Sequence, residues 1–212
     1  MNEGNAQHLD DPHLDDPHLD DPHLNAQHLD ETEPLTRLTE RIARGERVKF
    51  LHFWGHAPRK DGRIGASCLS QWWPAPFTVD GVRYATAEHW MMAEKARLFD
   101  DAEAERKALA ATSPAAAKKA GRLVRGFDEQ RWERERFGIV VEGSVHKFAA
   151  DEALREFLLG TGERVLVEAS PMDRIWGIGL AADDPRADDP PRWRGTNLLG
   201  FALMEARQRL RP

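Results

Sequence analysis

Between Thr86 and Gly160 the sequence carries signals for five helices in succession, and this run constrains the fold most strongly. Thr86 stands at an N-cap position, and Ser113 is followed by Pro114 at the first helical position; both are typical helix starts. A chain with so many consecutive helices does not alternate strand and helix strictly, so we predict an α+β fold that is mainly α. The predicted helices cover residues 87–99 and 101–111, a segment from 113, a long one from 128, and DEALREFLLG, which ends at Gly160.

Strand signals are few and short. Residues 47–54, RVKFLHFW, are apolar, β-branched and aromatic enough for a strand, and residues 163–170, ERVLVEAS, have the composition of a buried one. FTV and VRY flank Asp80-Gly81, a dipeptide favoured in type I′ turns, so a β-hairpin is predicted there. The remaining predicted elements are a short helix ended by Gly45, a polar loop over 55–72 and a closing helix that begins near TNLLG.

The N-terminal segment differs in composition from the rest. Residues 7–31 repeat a five-residue unit, PHLDD in its commonest form, with one apolar residue per unit. Such a segment buries too little surface to offset the entropy of ordering, so we predict a disordered tail over 1–34 and one domain over 35–212. Its five His side chains could collect a divalent metal only loosely, and no fixed metal site is predicted.

The charge of the chain is divided unevenly. The formal net charge is −6, but the first 33 residues hold ten Asp or Glu and no Lys or Arg, which leaves 30 basic against 26 acidic residues in the remainder. The body is therefore mildly basic and compatible with a phosphate-bearing ligand. A single cysteine, Cys68, excludes an internal disulfide, and no apolar run approaches the length of about 20 residues that a membrane span needs. We predict a soluble cytoplasmic protein without a membrane partner.

Glu88 is the first candidate for chemistry because it lies in the first turn of the helix that Thr86 caps. The helix macrodipole and free backbone N–H groups stabilise an anion there, so we expect Glu88 to stay ionised near neutral pH, as a general base or a stabiliser of positive charge. Glu is also common in first turns for helix stability alone, and position by itself favours that explanation. Lys95 lies on the same helix face as Glu88.

Aromatic and acidic residues supply further candidates. Seven tryptophans stand beside a single tyrosine, and we expect two or three of them to face a ligand and the others to be core. Asp173 follows a buried strand and precedes Trp176, so it is either a second functional carboxylate or a turn former bonded to its own backbone. Arg194 and Asn197 precede a helix start that would suit a phosphate or a ribose hydroxyl, although capping by Thr196 explains the pattern equally well. Lys118, Lys119 and Arg122 face either solvent or a phosphate.

Five blocks, in this order, resemble the NADAR family of YbiA-like N-glycosidases over residues 47–211. The resemblance implies a compact single domain with a small sheet and a hairpin surrounded by helices, and hydrolysis of an N-glycosidic bond to ribose phosphate or ADP-ribose. Some members act on pyrimidine intermediates of riboflavin synthesis, and others remove ADP-ribose from guanine in DNA. Members often read FLSNFYPAPF where this chain has CLSQWWPAPF, with Gln71 in place of Asn. The blocks are SCLSQWWPAPFTVDGVRYATAEHWMMAEKA, ATSPAAAKKAGR, RWE, EASPMDRIWGIG and WRGTNLLGFALMEAR.

The resemblance also assigns residues and partners. It implies catalytic roles for Glu88, Trp132 and Asp173, and the predicted substrate contacts are Trp72, Lys95, Trp176, Arg194 and Asn197. The expected partners are a small nucleotide or ADP-ribose substrate, ADP-ribosylated DNA, and a toxin whose action the protein counters; no cofactor is required. Two other classes stay open: a non-catalytic module that binds ADP-ribose or NAD, and an adaptor or metal-collecting protein that acts through its tail.

Overall fold

The computed structural model describes residues 31–212, which form a mainly helical α+β fold, as predicted. The predicted caps Thr86 and Ser113 each accept a backbone N–H three residues further on, and Asp128 does the same at the start of the long helix. The helices are α1 (Glu33–Ala43), α2 (Ala87–Leu98), α3 (Ala102–Leu109), α4 (Pro114–Arg122), α5 (Glu129–Ala149), α6 (Glu152–Gly160) and α7 (Leu198–Arg209).

Four short strands form two separate two-stranded sheets. Strands β2 (Phe77–Val79) and β3 (Val82–Tyr84) make the predicted hairpin, and Asp80 and Gly81 both have the positive φ, 49° and 79°, that a type I′ turn requires. Strands β1 (Phe50–Phe53) and β4 (Val165–Glu168) pair in parallel, with Phe53 opposite Glu168. The long connection between β1 and β4 contains α2 to α6, so strands that are distant in sequence end at the same edge.

Helix α2 forms the centre of the molecule. It packs against α3, α4 and α5, while α7 packs against α5 and β4. Nearly all of its first two turns are buried, Glu88 and His89 included. A Cβ atom on Gly143 of α5 would lie 2.3 Å from the Trp90 ring, so only glycine allows α5 to approach α2 this closely. The interior therefore holds α2 rigidly at the position where its first turn carries Glu88.

The N-terminal part of the described chain is tied to the core. The predicted domain boundary at residue 35 falls inside α1, and Glu31 pairs with the buried side chain of Arg136 on α5. The predicted loop over 55–72 holds a short 3-10 helix, Ala66–Leu69, followed by buried Ser70 and Gln71. The predicted disordered tail covers residues 1–34, of which residues 1–30 lie outside the described part. Within residues 31–212 no helix is long and apolar enough to cross a membrane.

Candidate active site

A cavity of about 340 Å³ lies where the carboxyl ends of β1 and β4 meet the beginning of α2. The parallel pairing brings these two strand ends together, and α2 points its first turn at them. The loop before β2, the first half of α4 and the turn after β4 complete the wall. The lining residues are Trp54, Gly55, His56, Ser70, Gln71, Trp72, Glu88, Met91, Lys118, Glu168, Ser170, Asp173, Trp176 and Leu199.

Glu88 lies on the wall of this cavity, as predicted, and is only 3% exposed. Its backbone N–H donates to the Gln71 carbonyl at 3.0 Å, which joins the start of α2 to the loop before β2. Burial raises the pKa of Glu88 to about 7, against the lowering effects of Lys118 and of a hydrogen bond from the Trp72 side chain. The expectation of a carboxylate that is simply ionised near neutral pH was wrong, because desolvation outweighs the field of the helix terminus.

Glu168 is a second buried carboxyl group on the same wall, and sequence reasoning missed it. It is the last residue of β4, and its backbone N–H donates to Asn197 Oδ1 at 2.9 Å. Burial, followed by the nearby negative charge of Asp173, raises the pKa of Glu168 to about 8. An acidic residue that ends a buried strand was the available signal, since functional side chains collect at the carboxyl edge of parallel strands.

Three buried oxygen atoms have no hydrogen-bond partner among residues 31–212, and all three belong to this cavity. They are Gln71 Oε1, Glu88 Oε1 and Glu168 Oε2. The Gln71 amide nitrogen lies 3.5 Å from Ser144 Oγ on α5, so the amide is anchored on one side and presents its carbonyl oxygen on the other. Buried polar atoms are normally paired, so their concentration here marks a place where a ligand or water supplies the partners.

Asp173 forms the turn that its sequence context allowed, and it also lines the cavity. Its Oδ1 accepts the backbone N–H groups of Ile175 at 2.9 Å and Trp176 at 2.8 Å, which makes it a turn former. The same residue lines the cavity, and its charge acts on both Glu88 and Glu168. The turn therefore holds Asp173 and Trp176 together at the wall.

Three of the seven tryptophans line the cavity, where the sequence predicted two or three that face a ligand. Trp72 and Trp176 are partly buried, whereas Trp54 is 63% exposed. The His56 ring lies 5.5 Å from the Trp72 ring. The cationic group on the wall is Lys118 of α4, one of the basic residues left open between solvent and phosphate; its neighbour Lys119 is exposed. Flat rings and one cation thus surround the buried carboxyl groups.

Four of the predicted site residues lie away from the cavity wall. Lys95 is seven residues after Glu88 on α2, about 10 Å along the helix, and its Nζ stacks on Phe127 and Trp132 at 4.1 and 5.2 Å from the ring centroids. Trp132 is buried in the core on that side. Lys95 and Glu88 were predicted to share a helix face, but the distance along α2 places Lys95 and Trp132 away from Glu88.

Arg194 and Asn197 lie behind the wall rather than on it. Asn197 has φ 56°, and its side chain accepts from Glu168 N and donates to the Leu166 carbonyl, both at 2.9 Å. It therefore binds the backbone of β4 and leaves no polar side-chain atom for a ligand. Arg194 is exposed, and its backbone N–H donates to Ile178. Across residues 31–212, no group of three His, Cys, Asp or Glu side chains is arranged to hold a metal ion.

Buried carboxyl groups and aromatic side chains around one cavity are typical of hydrolases that cleave glycosidic bonds. Comparison with known proteins indicates which type of glycosidic bond. The family model for the NADAR domain matches residues 52–211. The chain belongs to the NADAR family, as the sequence resemblance indicated.

Two of the relatives carry the name of an enzyme class. The chain is 39% identical to N-glycosidase R617 of Acanthamoeba polyphaga mimivirus over 77% of this chain and 97% of that protein. It is 31% identical to N-glycosidase Npun_R5314 of Nostoc punctiforme over 68% of this chain and 85% of that protein. The NMR structure of Escherichia coli YbiA superposes with a TM-score of 0.60 at 26% identity, over 78% of this chain and 86% of that one. These relatives confirm the predicted fold and the predicted class, a hydrolase acting on N-glycosyl bonds.

Proposed function

We propose that the chain hydrolyses the N-glycosidic bond that joins a nitrogen base to the ribose of a ribose-phosphate or ADP-ribose conjugate. The observation that carries this proposal is the set of three buried, unpartnered oxygen atoms, on Gln71, Glu88 and Glu168, in one cavity of the described chain. Unpaired buried oxygen atoms cost stability, so their concentration at one place is explained by a function there. The substrate and the attacking water would supply the missing partners.

Glu88 is the group best suited to the central step. Cleavage of an N-glycoside passes through an oxocarbenium-like sugar that carries positive charge at the anomeric carbon. An ionised Glu88 would stabilise that charge and accept a proton from the attacking water. Because its pKa is raised to about 7, Glu88 can take up and release a proton near neutral pH.

The rest of the wall suits a nucleotide-like conjugate. Trp72 and Trp176 offer faces on which a flat base can stack, and Lys118 offers a cation to a phosphate. Trp54 is 63% exposed at the same cavity, so its ring is available to a part of the substrate that extends into solvent. These features support a substrate with a base, a ribose and a phosphate.

Two substrates within this class are proposed. One is the pyrimidine intermediate of riboflavin synthesis, and the other is guanine in DNA that carries ADP-ribose. Both contain the ribose–nitrogen bond, the flat base and the phosphate that the wall residues suit. With the second substrate, a toxin that attaches ADP-ribose to DNA would be the cellular counterpart. The scheme uses no metal or redox cofactor.

The test is a chromatographic assay of both substrates with the wild-type protein and two variants. Glu88→Gln removes the charge of the proposed base at constant size. Glu163→Gln is the matched control, because the Glu163 side chain is 85% exposed and pairs with Arg211 away from the cavity. We expect release of ADP-ribose or ribose phosphate by the wild type and the control but not by Glu88→Gln.

The products separate the possible outcomes. Turnover of ADP-ribosylated DNA that depends on Glu88 identifies an enzyme that repairs this modification. Turnover of the pyrimidine alone identifies a metabolite-clearing enzyme. Turnover of neither, together with tight binding of ADP-ribose in a calorimetric titration, contradicts the proposal and identifies a binding module.

A further inference from the structure

The backbone of Glu168 is held from three sides. It is paired with Phe53 in the β1–β4 ladder, its N–H donates to Asn197 Oδ1 at 2.9 Å, and its carbonyl accepts the Ile178 N–H at 2.9 Å. In contrast, Glu168 Oε2 is buried and has no hydrogen-bond partner among residues 31–212. The fold therefore fixes the origin of this side chain and leaves its carboxyl group unpaired at the cavity.

Four titratable side chains of the wall lie around Glu168, each on a different element. Glu88 faces it from α2, Asp173 from the turn after β4, Lys118 from α4, and His56 from the loop after β1. Two of these four are acidic, and a buried carboxyl group beside other carboxylates tends to keep its proton. In agreement, the pKa of Glu168 is raised to about 8 and that of Glu88 to about 7. Burial and the neighbouring carboxylates thus favour the protonated form of Glu168, and no hydrogen bond from a described residue to its Oε2 opposes that form.

We propose that Glu168 is the proton donor to the leaving base. This role rests on the function proposed above. As the bond between the anomeric carbon and the base nitrogen breaks, its electron pair goes to the nitrogen, and the Glu168 carboxyl group gives that nitrogen its proton. Water bonds to the anomeric carbon and gives a proton to Glu88. The reaction consumes one water, and a proton returned through solvent from Glu88 to Glu168 restores the starting state.

Asp173 is less suited to this role than Glu168. Its Oδ1 accepts two backbone N–H groups, from Ile175 and Trp176, which is the arrangement of an acceptor. Glu168 Oε2 has no such donors among the described residues and is free to present a hydrogen to a ligand. Glu88 then acts as the general base and Glu168 as the general acid. The two side chains reach the cavity from different elements.

The test compares two leaving groups. One substrate is the base conjugate, presented both as ADP-ribosyl-guanine in an oligonucleotide and as the riboflavin pyrimidine intermediate. The other is 4-nitrophenyl ribofuranoside 5-phosphate, whose leaving group departs without a proton. For Glu168→Gln we expect kcat to fall about 10²- to 10⁴-fold on the base conjugate, the usual contribution of a general acid, and less than about tenfold on the nitrophenyl substrate. Glu88→Gln is the matched control and should lose activity on both.

Two further measurements exclude a merely structural effect. With the base conjugate, the rate of the wild type should fall at alkaline pH, because a general acid must be protonated to act. This fall should be absent in Glu168→Gln. Calorimetric titration with ADP-ribose should show binding within about threefold of the wild type, which demonstrates a folded site. Equal loss on both substrates with an unchanged pH profile overturns the role of Glu168. If the wild-type protein cleaves none of these compounds, the proposed function itself is overturned. That outcome can be told apart from failure of the role of Glu168, in which the wild type is active.

Discussion

Two concave regions of the described chain can be compared, and the larger of the two is not the candidate active site. A groove lined mainly by α1 and α7, called here the α1–α7 groove, has a volume of about 440 Å³. The cavity at Glu88 has a volume of about 340 Å³. The charged residues of the groove are paired: Arg37 with Glu33, Arg211 with Glu163, and Arg207 with Thr161 Oγ1 at 2.7 Å and the Arg164 carbonyl at 3.0 Å. The groove is lined by residues of α1 and α7 together with Phe137, Glu163, Val165 and Arg211.

The two regions differ in the state of their polar atoms rather than in size. In the groove, the hydrogen bond from Arg211 lowers the pKa of Glu163. In the cavity, burial raises the pKa of Glu88 and of Glu168, and one oxygen of each has no partner among residues 31–212. Exposed charge pairs contribute little to stability and need no function to explain them, whereas unpaired buried carboxyl groups cost stability and mark a candidate functional site.

The largest effect is expected for the charge at the cavity. Glu88→Gln should lower kcat/KM for the cleaved conjugate by at least about 10³-fold, because it removes both the stabilising charge and the proton acceptor. Glu163→Gln in the groove should stay within about twofold of the wild type. Steady-state assays of the three proteins measure the difference. A loss of similar size in Glu163→Gln would mean that the groove takes part in the reaction.

Two buried basic side chains, one supporting each region, offer a second contrast. Lys147 Nζ donates to the carbonyls of Cys68 and Ser70 at 2.6 and 2.8 Å, and so holds the loop that carries Gln71 and Trp72. Lys147→Met should destabilise the protein by about 2 to 4 kcal/mol, since two carbonyls lose their donor. It should also reduce the activity of the folded fraction about tenfold, because the wall loop loses its support.

Arg207→Met is the matched control for Lys147→Met. Arg207 is also buried, and it also binds a backbone carbonyl, but it supports the groove. We expect a comparable loss of stability in urea unfolding and an unchanged kcat per folded molecule. Equal losses of activity in the two variants would show that the effect of Lys147 is general destabilisation rather than support of the wall.

The third test concerns stability as a function of pH. The pKa of Glu168 is raised from 4.5 to about 8, so the folded state retains a proton that the unfolded chain releases. The stability that this group contributes is fully present below about pH 4.5 and is lost as the pH rises through about 8. Glu168→Gln escapes this loss and should be more stable than the wild type by about 1 to 2 kcal/mol at pH 8.5, and about equal to it at pH 5.

Urea unfolding at the two pH values measures this change. Glu163→Gln serves again as the control, because the pKa of Glu163 is lowered by Arg211 and its contribution is lost toward acid instead. It should gain nothing at pH 8.5. A Glu168→Gln protein that is less stable than the wild type at pH 8.5 would show that the ionised carboxyl group is well solvated or paired in solution.

The fourth test removes one indole hydrogen bond at the cavity and one outside it. Trp72→Phe deletes the indole donor to Glu88, so the pKa of Glu88 should rise further and the acid side of the pH–rate profile should move to higher pH. We expect a loss of about three- to tenfold in kcat/KM at pH 6.5. Trp193→Phe deletes an indole donor to the Ala187 carbonyl, outside the cavity, and should leave the profile unchanged. Identical profiles for Trp72→Phe and the wild type would contradict the contact.

Local signals in the sequence predicted most of the fold and part of the site. The caps at Thr86 and Ser113 and the turn at Asp80 depend on neighbouring residues alone, and the structure has all of them. The position of Glu88 followed from the Thr86 cap. Its environment did not, because the burial that raises its pKa depends on elements distant in sequence. A first-turn position describes a local field, and here desolvation is stronger.

Long-range pairing also explains the residues that were missed or misplaced. Glu168 reaches the cavity because β4 pairs in parallel with β1 across the intervening helices, and no local pattern encodes that pairing. Asn197 was predicted to contact the ligand, but it supports the backbone of Glu168 instead. The sequence motif therefore placed Asn197 near the site, but its side chain does not face the cavity. Lys95 shows the same limit along a helix, where a shared face does not give a shared location.

The smallest effect is expected from the N-terminal segment. Residues 1–30 hold eight acidic residues and no Lys or Arg, so removing them changes the formal net charge from −6 to +2 without touching any residue of the cavity wall. A chain that begins at Glu31 keeps the partner of Arg136 and should retain kcat/KM within about twofold. Further deletion of Glu31 should lower stability by about 1 to 3 kcal/mol, because Arg136 is only 7% exposed and would be left without that carboxylate. Loss of activity on removing residues 1–30 alone would instead support the class of protein that acts through its tail.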